Sequence, residues 1–249
     1  MTDWQTTQAF SVSVHAGRLD YAGTVLFDAL DFTLAAGVTT CLLGPSGVGK
    51  TSLLRMIAGL AGGGVADCSD RGRLAGRIAW MAQQDLLLPW LNLRDNVALG
   101  ARLRGEPTDR SRVDALLDLV GLTDQGGKRP AALSGGMRQR AALARTLLED
   151  RPVVLMDEPF SALDAITRHR LQDTAASLLA GRTVLLVTHD PLEALRLGHR
   201  IHVMAGRPAR LDQPLLPPGP VPRDARDPAV LALQAELLTR LAAASENSA

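Results

Sequence analysis

Hydrophobic residues fall into two patterns along this chain, and each predicts a different kind of strand. In Phe10–Val14 and Leu30–Leu34 they alternate with polar residues, a period of two that is typical of half-buried strands. Val153–Met156 and Thr183–Val187 are almost continuous apolar runs, as expected of parallel strands buried on both faces. The patterns together predict an α/β fold in which some strands are half exposed and others lie fully inside.

The middle and the end of the chain show helical spacing. The pattern is helical from Leu91 to about Arg151, with Asn92 and Asp109 placed to cap two of the helices. The proline-rich stretch Pro214–Pro222 is expected to be extended, and helical spacing returns from Pro228 to Ala244. Three interpretations of that last stretch stay open: a docked helix, a partner surface, or a partly frayed end.

A glycine-rich loop lies between a β-prone run and a helical one. Gly44–Thr51 satisfies G-x-x-x-x-G-K-[ST] at every fixed position, with the apolar run Val38–Leu43 before it and the helical turns Ser52–Ala58 after it. In a P-loop, backbone N–H groups turn toward phosphate oxygens, the lysine reaches the β- and γ-phosphates, and the hydroxyl ligates Mg²⁺. The alternative is a glycine-rich turn with an incidental lysine, but the flanking strand and helix favour a nucleoside triphosphate site. The predicted nucleotide-binding residues of this loop are Gly44, Pro45, Ser46, Gly47, Val48, Gly49, Lys50, Thr51 and Ser52.

Polar residues that could bind a metal ion or transfer a proton follow two of the buried strands. Asp157 and Glu158 end the run Val153–Met156, and two carboxylates there are costly unless they meet a cation or a proton donor. We therefore predict Asp157 as the Mg²⁺ acid and Glu158 as the base for a water molecule. His189 follows Thr183–Val187 and could contact the γ-phosphate or orient the water, although a lone histidine at a strand end is more often structural.

Two further features gain meaning only beside the P-loop. Ser134-Gly135-Gly136 opens a helical stretch and offers a second anion-binding geometry, or an ordinary helix cap. Tyr21, the only tyrosine, lies in a turn-like segment before the P-loop strand, where its ring could stack on adenine or simply be a partly exposed aromatic.

Composition narrows the location and the partners. A net charge of +1 provides no global field to attract nucleic acid, and no apolar run approaches the roughly 18 residues of a membrane span. The N-terminus lacks the features of a signal peptide, and two cysteines, Cys41 in a buried strand and Cys68 in a polar loop, fit a reducing compartment. We expect a protein that is soluble when isolated, lies on the cytoplasmic side of the inner or plasma membrane, and meets that membrane through another protein.

The order and spacing of these motifs resemble the nucleotide-binding subunits of ATP-binding-cassette (ABC) transporters over residues 10–210. The segments that carry the resemblance are Tyr21 (A-loop aromatic), Gly44–Thr51 (Walker A), Gln83 (Q-loop), Leu133–Gln139 (LSGG signature), Val153–Glu158 (Walker B with the catalytic glutamate), Ser161–Asp164 (D-loop) and His189 (switch histidine).

The resemblance implies a P-loop NTPase fold: a RecA-like core, a small antiparallel β region, and a helical subdomain inserted near residues 91–150. An ABC ATP-binding domain would cover residues 8–215, followed by a proline-rich linker and helical tail over 216–249. Two copies would face head to tail, with each ATP between Gly44–Thr51 of one copy and Ser134–Gly136 of the other.

The resemblance also implies roles for single residues and for partners. Glu158 would polarise the attacking water, while His189 and Gln83 would sense the γ-phosphate and the partner. Ser134, Gly135, Gly136, Gln139 and Asp164 join the predicted nucleotide-binding residues on this ground, and Thr51, Gln83 and Asp157 would hold Mg²⁺. Integral membrane permease subunits would dock near the Gln83–Trp90 loop, with a periplasmic or extracellular solute-binding protein in the same system.

Two branches of the family share the local motifs. Gln83–Trp90 and Leu133–Arg140 resemble importers of the nitrate/sulfonate/taurine type and also cassettes assigned to hydroxymethylpyrimidine, the thiamine precursor. Met81–Asp85 and the compact segment after the P-loop helix favour the pyrimidine type slightly. Two departures from the family pattern are Ala82, where many relatives have an aromatic residue, and the short, glycine-rich stretch Gly62–Gly76.

Other classes of protein fit less well. A soluble cassette of DNA repair or translation usually carries paired cassettes or long coiled-coil insertions, and an exporter half is ordinarily fused to membrane helices. A degenerate cassette without turnover would not be expected to keep Lys50, Asp157, Glu158 and His189.

Overall fold

The computed structural model describes residues 8–21, 23–62, 64 and 66–247, with residue 21 described by its backbone alone. Nine strands are found in these ranges: β1 (Val12–Tyr21), β2 (Thr24–Leu34), β3 (Thr39–Leu43), β4 (Ala66–Cys68), β5 (Ile78–Met81), β6 (Val153–Asp157), β7 (Thr183–Val187), β8 (Arg200–Ala205) and β9 (Arg210–Leu211). The α-helices are α1 (Lys50–Ile57), α2 (Leu93–Val97), α3 (Leu99–Leu103), α4 (Arg110–Leu119), α5 (Gly135–Leu148), α6 (Ala165–Leu178), α7 (Pro191–Leu197) and α8 (Pro228–Glu246). Short 3₁₀ helices lie at Thr123–Gln125 and Pro130–Ala132.

The strands form two sheets. β2, β1 and β4 make a small antiparallel sheet, while the large sheet has the order β5-β6-β7-β3-β8-β9, parallel from β5 to β8. Every residue of β6 and β7 is buried, and the burial of β2 alternates, as the two hydrophobic patterns predicted. Parallel strands whose two faces are both covered need apolar residues at successive positions, which explains the continuous runs.

Two apolar clusters lie on the two faces of the large sheet. One joins α1 to the small antiparallel sheet through residues such as Phe27 and Leu53. The other joins the sheet to α2 and α4–α8 through residues such as Val97, Leu116 and Leu237. The large sheet is thus packed on both faces, which holds the ends of its strands in place.

The helices α2 to α5 lie between β5 and β6 in the chain. Asn92 caps α2, its side chain accepting the Asp95 N–H at 2.9 Å, and Asp109 caps α4 by accepting the N–H groups of Ser111 and Arg112. Both caps were predicted from the spacing, because a short polar side chain before an apolar helical period satisfies otherwise unpaired N–H groups.

Two further expectations are resolved by the structure. Cys68 was predicted to lie in a polar loop, which is wrong: it ends β4, pairs with Val12 across the small sheet, and is buried. A three-residue strand is too short to show a period of its own. Of the three interpretations of the tail, the structure favours a docked helix, since α8 packs against α7 and β8.

Candidate functional site

Three neighbouring strands of the large sheet end at the same edge. β3 leads into Gly44, β6 ends at Asp157, and β7 leads into Thr188-His189. The register places Asp157 beside Val187, and Leu42 pairs with Val187 from the other side. Ligands of open parallel sheets bind beyond the carboxyl ends of the strands. Asp157 and His189 lie at this edge.

The glycines of the loop after β3 are required by its conformation. Gly44, Gly47 and Gly49 have φ angles of 147°, 79° and 112°, a region that favours glycine. A Cβ on Gly44 would lie 2.5 Å from the Met204 carbonyl oxygen, and one on Gly49 would lie 2.9 Å from the Phe27 ring. The loop therefore combines left-handed backbone with close packing directly before α1.

Lys50 lies inside the turn of this loop. Its Nζ donates to the carbonyl oxygens of Gly44 at 2.7 Å and Pro45 at 2.9 Å. Burial lowers the pKa of Lys50, and the nearby carboxylates of Glu158 and Asp157 oppose that shift. A largely buried ammonium group held by two neutral carbonyls is well placed to gain an anionic partner such as a phosphate.

Thr51 and Asp157 meet across the edge of the sheet. The Thr51 Oγ1 donates to Asp157 Oδ2 at 2.7 Å. Burial is the main cause that raises the pKa of Asp157, and the Thr51 hydrogen bond opposes it. A hydroxyl and a buried carboxylate form a hard oxygen donor set, which fits Mg²⁺ when phosphate oxygens and water complete the coordination. No cluster of three His, Cys, Asp or Glu residues that could hold a metal ion is found in the described ranges.

Glu158 and His189 face each other at the ends of β6 and β7. His189 Nδ1 lies 3.1 Å from Glu158 Oε2, within hydrogen-bonding distance. Glu158 has a φ of 49°, and its N–H donates to the Val187 carbonyl at 2.9 Å. A left-handed glutamate is uncommon and costs on the order of 1 kcal/mol, so the surroundings hold it there.

An open recess of about 380 Å³ joins these groups. Its lining includes Ser46, Gly47, Gly49, Lys50, Thr51, Ser52, Gln83, Asp157 and Glu158, all of them predicted site residues. It also includes two residues that the sequence interpretation missed, Leu26 and Arg55. Arg55 lies four residues after Thr51 on α1, so helical spacing could have found it, whereas Leu26 of β2 carries no local signal.

The predicted nucleotide-binding residues Ser134, Gly135, Gly136 and Asp164 lie at or near the starts of α5 and α6, outside the lining of this recess. Ser134 caps α5 by accepting the Met137 N–H at 3.3 Å, and both Ser134 and Gly135 are exposed. Gly136 packs closely, since an added Cβ would lie 3.1 Å from the Ala162 carbonyl oxygen. Asp164 caps α6 by accepting the Thr167 N–H at 3.0 Å. A second open recess, of about 420 Å³, has Gly135, Gln139 and Ala162 in its lining. Gln83 lines both recesses and so lies between them.

Gln139 points inward in this structure. Its side chain is 6% exposed; Nε2 donates to the Glu158 carbonyl at 2.9 Å, and Oε1 accepts the Ala162 N–H at 2.7 Å. It thereby joins α5 to the turn that carries Glu158, a placement that sequence interpretation did not anticipate. The side chain of Tyr21, predicted to stack on adenine, lies outside the described residues.

Comparison with known proteins agrees with this geometry. The ABC transporter family model matches residues 27–161, which include the P-loop, Ser134–Gly136, Asp157 and Glu158. The chain belongs to the ABC transporter family. In this family it is an ATP-hydrolysing cassette, and it binds nucleotide. The family match ends before Asp164 and His189.

Several curated relatives align over most of this cassette. It is 44% identical over 228 residues to an uncharacterized ABC transporter ATP-binding protein of Haemophilus influenzae, covering 90% of this chain and 95% of the relative. It is 42% identical to an aliphatic sulfonates import ATP-binding protein of Pseudomonas syringae pv. syringae, covering 89% and 92%. With a taurine import ATP-binding protein of Roseobacter denitrificans it shares 46% identity over 72% of this chain and 69% of that one.

A solved structure shares the fold. The ATP-binding cassette MJ0796, in a dimeric post-hydrolysis state bound to ADP and Pi, matches with a TM-score of 0.73 and 25% identity. The match covers 84% of this chain and 99% of that one. The P-loop NTPase fold of the ABC type predicted from the motifs is confirmed by this likeness. The slight preference for a hydroxymethylpyrimidine cassette is not supported, because the import relatives above are named for sulfonates and taurine.

Proposed function

We propose that this chain is the ATP-hydrolysing subunit of an importer for small sulfonates such as taurine or aliphatic sulfonates. The observation that carries the proposal is the identity of 42% and 46% to subunits named for import of those solutes, over 89% and 72% of the chain. The nitrate/sulfonate/taurine alternative in the sequence interpretation fits these relatives better than the thiamine-precursor one. Separate permease subunits and a solute-binding protein would complete the system.

The working unit in this proposal is a head-to-tail homodimer. One surface of each chain carries Gly44–Thr51, and an adjoining one carries the exposed Ser134 and Gly135 at the start of α5. A helix start with free N–H groups is a ready anion site, so the second copy would complete the γ-phosphate cradle of the first. The dimeric state of MJ0796 supports this arrangement by analogy.

The chemistry would be divided among the residues of the first recess and His189, which lies beside Glu158. Lys50 and the loop N–H groups would bind the phosphates, and Thr51, Asp157 and Gln83 would hold Mg²⁺, which supplies positive charge at the phosphate oxygens. Glu158 would orient and deprotonate the attacking water, and His189 would hold the Glu158 carboxylate in place. Asp164 and Gln139 would act from the adjoining surface, Gln139 by supporting the Glu158 backbone.

The domain limits and the membrane partner belong to the same proposal. Residues 8–215 would form the ABC domain with its helical insertion over 91–150, and 216–249 the linker and tail. Leu86 and Trp90 are 56% and 66% exposed on the Gln83–Trp90 loop, which suits an apolar contact with the permease. Within the ranges that the structure covers, no helix is both long and apolar enough to cross a bilayer, and we place the chain at the cytoplasmic face as a peripheral subunit.

The decisive experiment reconstitutes the chain with its permease and solute-binding protein in lipid vesicles. We expect uptake of radiolabelled taurine or an alkanesulfonate that requires ATP on the side of this chain, and none with the Glu158→Gln variant. Trp90→Ala should lose co-purification with the permease, while Leu103→Ala, on α3 and even more exposed (78% against 66%), should keep it. Uptake of hydroxymethylpyrimidine with no sulfonate transport would overturn the cargo, and uptake without ATP would overturn the role.

A further inference from the structure

The segment after β9 is anchored by one buried arginine. Arg223 is 6% exposed, and all five N–H donors of its guanidinium point at backbone carbonyl oxygens. Nε donates to Pro218 at 2.7 Å, Nη2 to Pro217 at 2.7 Å and Gly219 at 3.1 Å, and Nη1 to Leu195 at 2.7 Å and Gly198 at 2.8 Å. The first three acceptors lie in the proline-rich linker itself, and the last two lie at the end of α7.

The contact at α7 satisfies carbonyl groups that have no partner within the helix. The last carbonyls of a helix are left unpaired and carry partial negative charge, so a cation placed there is favourable. Arg223 Nη1 bridges the carbonyls of Leu195 and Gly198 at that place. The Arg223 side chain therefore caps the C-terminal end of α7 from the linker.

The opposite end of α7 starts directly after His189. Asp190 caps it, its side chain accepting the N–H groups of Leu192 at 2.9 Å and Glu193 at 3.3 Å. The helix has seven residues, and Glu193 to Leu197 are all buried. A helix of this length spans about 10 Å, so the Arg223 contacts at its C-terminal end lie about one short helix away from His189.

Arg196 adds a second connection. It is 3% exposed; its Nε donates to the Arg223 carbonyl at 3.1 Å, and the Arg223 N–H donates to the Arg196 carbonyl at 3.0 Å. Its Nη2 donates to Asp173 Oδ1 at 2.7 Å, and its Nη1 bonds Gln172 Oε1. Asp173 and Gln172 belong to α6, the helix that starts at Asp164, so the linker, α7 and α6 are joined at one point.

We propose that Arg223 is a positioning residue for ATP hydrolysis: by fixing α7 it keeps His189 against Glu158, and the C-terminal segment thereby controls turnover. The 3.1 Å approach of His189 Nδ1 to Glu158 Oε2 is sensitive to small displacements, because hydrogen bonds weaken steeply with distance and angle. The inference rests on the roles proposed above for Glu158 and His189. It assigns to residues beyond the family match a function in the reaction itself.

The test compares Arg223→Met with Arg226→Met in the full-length protein. Methionine keeps much of the aliphatic stem and removes every side-chain donor. Arg226 lies three residues further on, 89% exposed by side chain and paired with Asp224. We expect Arg223→Met to lower kcat by about tenfold or more, since small misplacements of catalytic groups have effects of that order. The KM for ATP and the Kd for labelled ATP should stay within about twofold, as expected when only a transition-state interaction is lost. Arg226→Met should match wild type.

Two readouts separate positioning from general damage. Amide hydrogen exchange of Leu192–Leu197 should speed up in Arg223→Met, while that of α1 stays unchanged. In protein labelled with ¹³C-histidine, the ring signal of His189 should move and that of His15, on β1, should not. An unchanged kcat with faster exchange in α7 would overturn the proposal, and so would a wild-type result in all three measurements.

A milder variant keeps the test valid if methionine prevents folding. Arg223→Lys retains the cation and three donors, and we expect kcat between those of wild type and Arg223→Met with unchanged ATP affinity. Wild-type kcat in Arg223→Lys, together with a shifted His189 signal, would contradict the proposal. Failure of the proposed importer function would be seen in a different measurement. It would appear as missing solute uptake by the wild-type chain, whereas these comparisons need only ATP.

Discussion

His189 Nδ1 lies 3.1 Å from Glu158 Oε2, at the ends of two adjacent parallel strands. Glu158→Gln keeps the size of this side chain and an oxygen for His189 but removes the base. We expect ATP binding to persist, turnover to fall by about 10²–10⁴, and an ATP-bound dimer to accumulate. Phosphate release and size-exclusion chromatography with ATP measure both effects. Glu236→Gln, on the surface of α8, is the control, and normal turnover in Glu158→Gln would remove Glu158 from its role.

Lys50 and Lys128 are the only lysines in the chain, which makes a matched pair of variants. Lys50→Ala removes the buried ammonium group that lies in the P-loop, so we expect a loss of ATP affinity of about 1.5–3 kcal/mol, the range for a charged hydrogen bond. Lys128→Ala is an exposed change and should bind as wild type does. Filter binding with labelled ATP checks both. Unchanged affinity in Lys50→Ala would contradict the P-loop assignment.

Mixing two inactive variants tests the shared site. Gly135→Asp places a negative charge at the exposed start of α5, where an added Cβ has only the tip of Arg138 at 4.0 Å. Lys50→Ala and Gly135→Asp should each be inactive alone, but a mixed dimer contains one site with both an intact lysine and an intact glycine. An equimolar mixture should recover roughly a quarter of wild-type activity, since half of the dimers are mixed and each has one good site. No recovery would argue against the head-to-tail dimer.

Glu193 predicts a particular pH dependence of stability. Burial, with the nearby charge of Asp190, raises the pKa of Glu193 from 4.5 to about 7, against the opposing hydrogen bonds from Thr188 and Gln172. Since the folded state holds this proton more tightly than the unfolded chain, the stabilisation is complete below pH 4.5 and disappears as the pH rises to 7. The total is about 3 kcal/mol at 1.36 kcal/mol per pKa unit.

Glu193→Gln keeps the shape of the side chain and removes the titration. Urea unfolding of both proteins from pH 5 to pH 8 should show Glu193→Gln gaining relative stability as the pH rises, because wild type must then bury a carboxylate. If the free energies of unfolding of the two proteins change with pH in parallel over this range, Glu193 ionises as easily in the folded protein as in the unfolded chain.

Local motifs predicted the part of the site that depends on a short stretch of backbone. The P-loop needs glycine at fixed positions, and Asp157 and His189 mark the ends of strands whose apolar runs are visible without the fold. Gln139 and Arg223 have no such signal, because their partners are carbonyl and N–H groups of distant segments. Every residue has a backbone carbonyl, and almost every residue has an N–H, so the amino-acid sequence does not indicate which ones Gln139 and Arg223 bind.

Replacing Arg223 and replacing the residues that it binds are expected to have different effects on these hydrogen bonds. Its five acceptors are main-chain oxygens, which persist whatever side chain each position carries. Replacing the exposed Pro218 can therefore leave the hydrogen bonds in place as long as the local backbone holds its path, whereas replacing Arg223 leaves buried carbonyl groups without a donor. No compensating substitution at a single partner can restore the loss, since no partner side chain exists to change. Within this network, Arg223 is thus the one position whose side chain carries all five hydrogen bonds.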